Sequence, residues 1–289
     1  MTTAALTIKP RSSLSLPRWL VLTAQALLIA ACSTQPPQRY IITEPQDSAP
    51  PRSIDPASLK DAVPRVEPFS RYGNPAFYMV ENRRYQVMNT NAGYVERGIA
   101  SWYGSKFHGR RTSSGEPFDM YALTAAHPTL PIPTYAEVTN LATGRKIIVK
   151  INDRGPFKHN RLIDLSYAAA VKLGIADKGT GLVEVRAIDA ATWRPAPATT
   201  ATVSTAAKTG TTPPALYLQI GAFTSMENAI RLRTRLQGTP HSASSTIYSS
   251  QNNPPLYRVR IGPLQNVDEV DRVSRALLAM GLDTHVVLD

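Results

Sequence analysis

The amino-acid sequence predicts a mainly β, barrel-like domain followed by a small α+β domain of βαββαβ order, ferredoxin-like, with disordered linkers before and between them. Three observations carry that prediction. Residues 92–190 contain many short strand-like runs and a single small helix, the pattern of a compact barrel. Residues 215–289 repeat a strand, glycine turn, cap and helix twice. The 24 prolines are unevenly spread, and the Pro/Ser/Thr-rich stretches between the periodic regions lack apolar periodicity.

The N-terminus sets the compartment. Lys9, Arg11 and Arg18 precede an apolar run from Trp19 to Ala31 that is too short to span a bilayer, so residues 1–31 read as an export signal. The only cysteine follows immediately, in Ile29-Ala30-Ala31-Cys32. An apolar residue, two small ones and a cysteine resemble a bacterial lipobox; the alternative is an ordinary secretory signal followed by a chance cysteine. The resemblance implies cleavage before Cys32 and its lipidation, and Ser33 in place of Asp implies sorting to the outer membrane. Several acyl chains would anchor the protein firmly.

The formal charge is +11, from 32 basic and 21 acidic residues, part of it in the signal. The remaining basic residues are dispersed, without a Lys/Arg run or nucleic-acid motif, so no nucleic acid is expected as partner. The excess reads as a solvated basic surface, with attraction to an anionic wall polymer or membrane as the functional alternative.

Residues 32–91 read as a tether with a barrel-packing end, where Tyr72, Phe77, Tyr78 and Tyr85 make the segment too apolar for a free linker. In the barrel region, "YVERGIASWYG" is strand-like. "TYAEVTNLATGRKIIVKIND" reads as a hairpin turning at Ala142-Thr143-Gly144. "IDLSYAAAVKLGI" reads as a short helix with Ser166 as N-cap and Gly174 at its end, and "GLVEVRAID" as a last strand. Residues 191–214 form the second linker.

In the last domain, Thr224 with Glu227 and Asn266 with Glu269 have capping-box spacing. Strand alternation turns Leu216, Leu218, Ile220, Val259 and Ile261 toward the helices. It leaves Tyr217, Gln219, Arg258 and Arg260 on the open face, a solvated sheet face or one able to bind sugar hydroxyls and carboxylates.

The strings "ASWYGSKFHGRRTSSGEPFDMYALTAAHPTLPIP", "VTNLATGRKIIVKINDRGPF" and "IDLSYAAAVKLG" closely resemble the rare lipoprotein A family, and the C-terminal repeat resembles a sporulation-related repeat (SPOR) domain. The resemblance implies a double-psi β-barrel at 92–190 and a glycan-binding domain at 215–289. It further implies an endolytic lytic transglycosylase acting on peptide-free (denuded) peptidoglycan strands. Such a protein would be an outer-membrane lipoprotein facing the periplasm, enriched at the division septum, with division-site proteins as possible partners and no cofactor.

A lytic transglycosylase needs one group to act as acid and then as base, because the sugar's own 6-hydroxyl attacks and leaves a 1,6-anhydro end. By the resemblance, Asp153 in "INDRGPF" takes that role; locally the stretch reads only as a strand end with Asn, Gly and Pro as turn residues. A general acid must hold its proton at working pH, which calls for burial or a neighbouring carboxylate. Arg154 opposes this only if it points the same way, and adjacent strand residues face opposite sides. Glu116 in "SSGEPFD" matches a second family position, to stabilise positive charge or act on Asp153; its local reading is an exposed loop glutamate. His127 in "TAAHPTLP" matches a third, expected to hydrogen-bond the substrate or a carboxylate. No second histidine lies at ligand spacing, so no metal is expected. Trp102, Tyr103, Phe107 and His108 are candidates for sugar stacking or core packing, packing being favoured for Trp102 and Phe107. Asp119 and Asp164 are weaker candidates, Asp164 as a local helix cap.

The competing class is a septal lipoprotein that grips the wall without cleaving it. A polysaccharide hydrolase is a third, and would need a water-activating base.

Overall fold

The computed structural model describes residues 47–51, 54–195, 214–239, 241, 243–251 and 253–289. The segment read as an export signal, Cys32 and most of the expected second linker lie outside the described residues.

Six strands close a barrel: β3 (Val95–Tyr103), β4 (Thr124–Ala126), β5 (Thr134–Asn140), β6 (Lys146–Asp153), β7 (Ile163–Ser166) and β8 (Gly181–Ala187), in the order β3-β7-β4-β6-β5-β8. The β3–β7 and β4–β6 pairs are parallel and the others antiparallel, as a double-psi barrel requires. Period-two alternation fills the interior. Val138, Ile147, Val149, Ile151, Ile163, Leu165, Val183 and Val185 are buried to 1% exposure or less and pack as one core. Helix α1 (Tyr167–Leu173) plugs one side with Ala168–Ala170 and Leu173. Its Ser166 hydroxyl accepts from the Ala169 N–H, and Gly174 closes it in the left-handed region at φ 80°.

Residues 47–51 and 54–88 lie against this barrel. The Asp47 carboxylate accepts from the Gly104 and Lys106 N–H groups, Ala62 N–H donates to Ile148 O, and Ser70 N–H donates to Ile132 O. A small hairpin follows, β1 (Phe77–Val80) and β2 (Arg83–Gln86), whose two-residue turn puts Glu81 and Asn82 at positive φ.

The last domain forms a four-stranded antiparallel sheet in the order β10-β11-β9-β12. Its strands are β9 (Leu216–Phe223), β10 (Ser245–Ser249), β11 (Tyr257–Leu264) and β12 (His285–Leu288), with helices α2 (Met226–Arg235) and α3 (Val267–Ala279) in βαββαβ order. Leu216, Leu218, Ile220, Val259 and Ile261 face the helices and are buried. One cap differs from expectation. Helix α2 is preceded by Ser225 without a side-chain cap bond, so Thr224 and Glu227 do not form a capping box; at α3 Asn266 does accept from the Glu269 N–H.

The two domains touch. Ile99, fully buried on β3, belongs to the core of the last domain, and the Arg161 guanidinium, 2% exposed, grips Asp271 of α3 with both nitrogens at 2.9 and 2.6 Å.

Candidate active site

Asp153 ends β6, beside a register shift that sets it opposite Ala126 of β4. Its carbonyl accepts from the His127 N–H at 3.0 Å. Its Oδ1 accepts from the Ser113 N–H and hydroxyl, both at 2.7 Å, and from the Arg154 N–H at 2.8 Å. One carboxylate oxygen is thus fully used to fix the side chain, and no donor among the described residues occupies Oδ2. Ser113 belongs to the tight loop 112–116, where the Thr112 N–H and hydroxyl both donate to Glu116 O and Gly115 takes φ 93°.

Arg154 does not compete for Asp153. Its guanidinium turns away to the Gly73, His127 and Leu130 carbonyls and to Asn74 Oδ1, which fastens the N-terminal wrap to the site.

Glu116 sits on the same loop, with its side chain 47% exposed. Lys150 Nζ donates to Oε1 at 2.9 Å and Asn152 Nδ2 to Oε2 at 2.8 Å. Burial would raise the carboxyl's pKa, but these hydrogen bonds and the Lys150 charge outweigh it and hold the pKa below the ordinary value. Lys150 also contacts Glu67 at 3.3 Å, and Glu67 accepts from the Tyr135 hydroxyl. Burial opposes ionisation of Glu67, yet Arg65, Tyr135 and Lys150 bring its pKa down to about 2. Glu116 is therefore a fixed anion, suited to stabilising positive charge.

His127 is placed differently. Its ring is 1% exposed, and Nδ1 accepts from the Leu130 N–H at 3.0 Å and the Thr129 N–H at 3.3 Å. Nδ1 is therefore unprotonated, and Nε2–H donates to the Tyr94 hydroxyl at 2.9 Å, which in turn donates to Glu96. Burial, aided by the Arg154 charge, pushes the imidazole pKa down to about 3, so it is neutral. The backbone of His127 touches the site; its ring supports the 127–130 loop from behind.

Of the remaining candidates, Trp102 packs on the barrel core, donates from Nε1 to Ala176 O and meets Tyr167 edge-on. Phe107 is edge-on to Tyr103. His108 accepts from the Met120 N–H on the surface, and Asp119 accepts from the Tyr121 N–H in a turn. Tyr103 stacks on Phe118 at 4.1 Å between centroids; burial and the charges of Asp153 and Asp164 raise its pKa, and its hydroxyl has no hydrogen-bond partner among the described residues. Asp164 is not a helix cap, a role Ser166 fills. It lies within β7, bound by the Ser101 hydroxyl, and burial raises its pKa despite that bond and the Arg161 charge.

On the last domain, Tyr217, Gln219, Arg258 and Arg260 lie half-buried on the face away from the helices. Arg260 is partly engaged there: it pairs with Asp289 at 2.6 Å and lies 5.1 Å from the Tyr248 ring centroid.

Lys150, Asn152, Ser113 and Tyr94 were not singled out from sequence. The parity of β6 puts Lys150 and Asn152 on one face, a readable signal. Nothing local pairs Ser113 with Asp153 across 40 residues.

The chain matches the family described as lytic transglycolase over residues 95–186 and the SPOR domain over residues 212–287. It is 38% identical to the endolytic peptidoglycan transglycosylase RlpA of Pseudomonas aeruginosa, across 94% of this chain and 96% of that protein. It is also 38% identical to the protein of that name from Vibrio cholerae, across 89% and 92%. Among solved structures, the RlpA SPOR domain from Pseudomonas aeruginosa is similar at 35% identity and TM-score 0.23, over 25% of this chain and 96% of that one.

Proposed function

The chain belongs to the RlpA family of endolytic peptidoglycan transglycosylases, and from that premise we propose that it cleaves peptide-free peptidoglycan strands with Asp153 as acid and base. The observation that carries the assignment is the asymmetric clamp on Asp153: three donors fix Oδ1 and leave Oδ2 for the substrate. Oδ2 delivers its proton to the oxygen linking muramic C1 to the next glucosamine, and the C1–O bond breaks. The ionised Glu116, held by Lys150 and Asn152, stabilises the positive charge that develops at the sugar. Asp153 then takes the proton of the muramic 6-hydroxyl as that oxygen closes on C1. The product is a 1,6-anhydro end, no water is consumed, and the carboxyl regains its starting proton. His127 acts by holding the loop whose backbone grips Asp153 and Arg154.

Tyr217, Gln219, Arg258 and Arg260 form the proposed glycan face of the SPOR domain, where the arginines match the lactyl carboxylates exposed when peptides are removed. Lipidation at Cys32, outer-membrane anchoring and septal enrichment complete the proposal, supported by the lipobox-like motif and the SPOR match.

Digestion of peptide-free strands followed by mass spectrometry tests the reaction. Anhydro ends from the wild-type chain that vanish in Asp153→Asn are expected; intact strands held tightly by the wild type would replace catalysis with binding.

A further inference from the structure

The matched barrel begins at Val95, yet part of the wall around the candidate site comes from the preceding wrap. Tyr72 is the conspicuous residue there. Its side chain is 61% exposed; several apolar side chains of the wrap, such as Val66 and Phe69, are exposed too, and what distinguishes Tyr72 is its place beside the loop of Glu116. Its ring stands over the loop that carries Glu116: a Cβ on Gly115 would lie 3.6 Å from Tyr72 Cδ2.

The backbone beneath the ring is held on both sides. Ser70 Oγ donates to Ser114 O, and Asn74 exchanges hydrogen bonds with the Ile132 N–H and carbonyl. Arg154 donates to Gly73 O at 2.8 Å and to Asn74 Oδ1 at 3.0 Å. Gly73 sits so close to the loop that a Cβ there would lie 2.8 Å from Ser113 O, and its φ of 83° favours glycine. The loop bearing Glu116 and the turn bearing Asp153 are thus stapled to the same short segment, and that segment exposes one aromatic face beside them. Arg71 places its guanidinium carbon over the ring, 5.8 Å from the centroid.

We propose that Tyr72 is the stacking platform of a sugar subsite beside the catalytic carboxylates, taking the apolar face of an N-acetylated hexosamine in the glycan strand. The inference rests on the transglycosylase reading for the identity of the ligand. A pyranose presents a flat C–H face that an aromatic ring covers, and a platform fixed in advance loses little entropy on binding. Tyr72 is then a binding residue, acting equally on bound substrate and transition state, so its loss raises KM and leaves kcat alone.

The test uses the full chain in detergent with Tyr72→Ala and Tyr72→Trp. On peptide-free strands, Tyr72→Ala is expected to raise KM about tenfold, with kcat and thermal midpoint unchanged, and Tyr72→Trp to restore KM. In the Asp153→Asn background, Tyr72→Trp is expected to show a saturable emission shift on adding strands that Asp153→Asn alone does not show. An unchanged KM in Tyr72→Ala, a fall in kcat instead, or no emission change specific to Trp at position 72 would overturn the platform. If the wild type made no anhydro ends while that emission shift persisted, the platform would stand and the catalytic reading would fall.

Discussion

The neutral, buried His127 makes a stability prediction that separates a positioning role from an acid–base one. Lowering the pH from 7.5 to 5 charges a histidine in the unfolded chain, where its pKa is ordinary at 6.5, but not in the folded chain, where it is about 3. The unfolded state then binds more protons, so this group's stabilisation of the fold is complete above pH 6.5 and is lost as pH falls toward 3. This is the reverse of a histidine that gains an acidic partner. From those two pKa values the loss between pH 7.5 and 5 is about 2 kcal/mol, and it would approach about 5 kcal/mol at full protonation. The measurement is urea unfolding at both pH values, followed by tryptophan emission, since Trp102 packs on the barrel core. His127→Gln keeps a donor and an acceptor but cannot titrate. The variant is expected to be less stable at pH 7.5 and to lose about 2 kcal/mol less than wild type on acidification. Equal losses in the two proteins would refute the buried neutral imidazole. An activity limb near pH 6.5 that disappeared in the variant would show the ring titrating in the working range.

Three further outcomes follow from the same contacts. Lys150→Met removes the cation between Glu116 and Glu67; the Glu116 pKa should rise, moving the acidic limb of kcat/KM upward and costing roughly tenfold or more in kcat. Arg154→Ala frees the wrap from the barrel and should cost about 3 kcal/mol of stability, with new proteolytic cleavage within residues 66–76 as the local readout. Asp271→Asn leaves the Arg161 charge buried without its carboxylate, and should cost about 3 kcal/mol and loosen the two domains, measured by calorimetry and by the radius of gyration in solution.

The fold was legible because its signals are local. The alternation in β5, β6 and β9, the Ser166 cap and Gly174 stop, and the twice-repeated strand–helix unit each lie within about 25 residues. Closure of the barrel follows from strand count and from the family resemblance, whereas nothing local signals the parallel β3–β7 pairing, which joins residues more than 60 apart. Asp153, Glu116 and His127 came from motif resemblance, and their local contexts read equally well as turn, loop and packing. The sequence carried the His127 residue type but not the direction of its ring, because Tyr94 and Glu96 lie 33 and 31 residues upstream. Tyr72 looked like part of an apolar packing segment, and only the tertiary arrangement leaves it uncovered.

The arrangement around Asp153 also explains why a carboxylate proposed as the acid is set at a strand end rather than mid-strand. Within a strand, the neighbouring backbone donors are committed to the ladder and cannot reach a side chain. At the end of β6 the ladder stops, which frees the Arg154 N–H for Oδ1, and the loop 112–116 supplies Ser113 N–H and hydroxyl from across the barrel rim. The residue after the acid then does a different job. Arg154 reaches away into four oxygen acceptors and draws residues 73–74 against the rim. One dipeptide therefore fixes the proposed catalytic carboxylate through its first side chain and builds the wall beside it through its second. Exchanging the two residues would place a guanidinium at the Ser113 clamp and a carboxylate among carbonyl oxygens, satisfying neither. The order Asp-Arg is thus as much a requirement of the site as the presence of the acid.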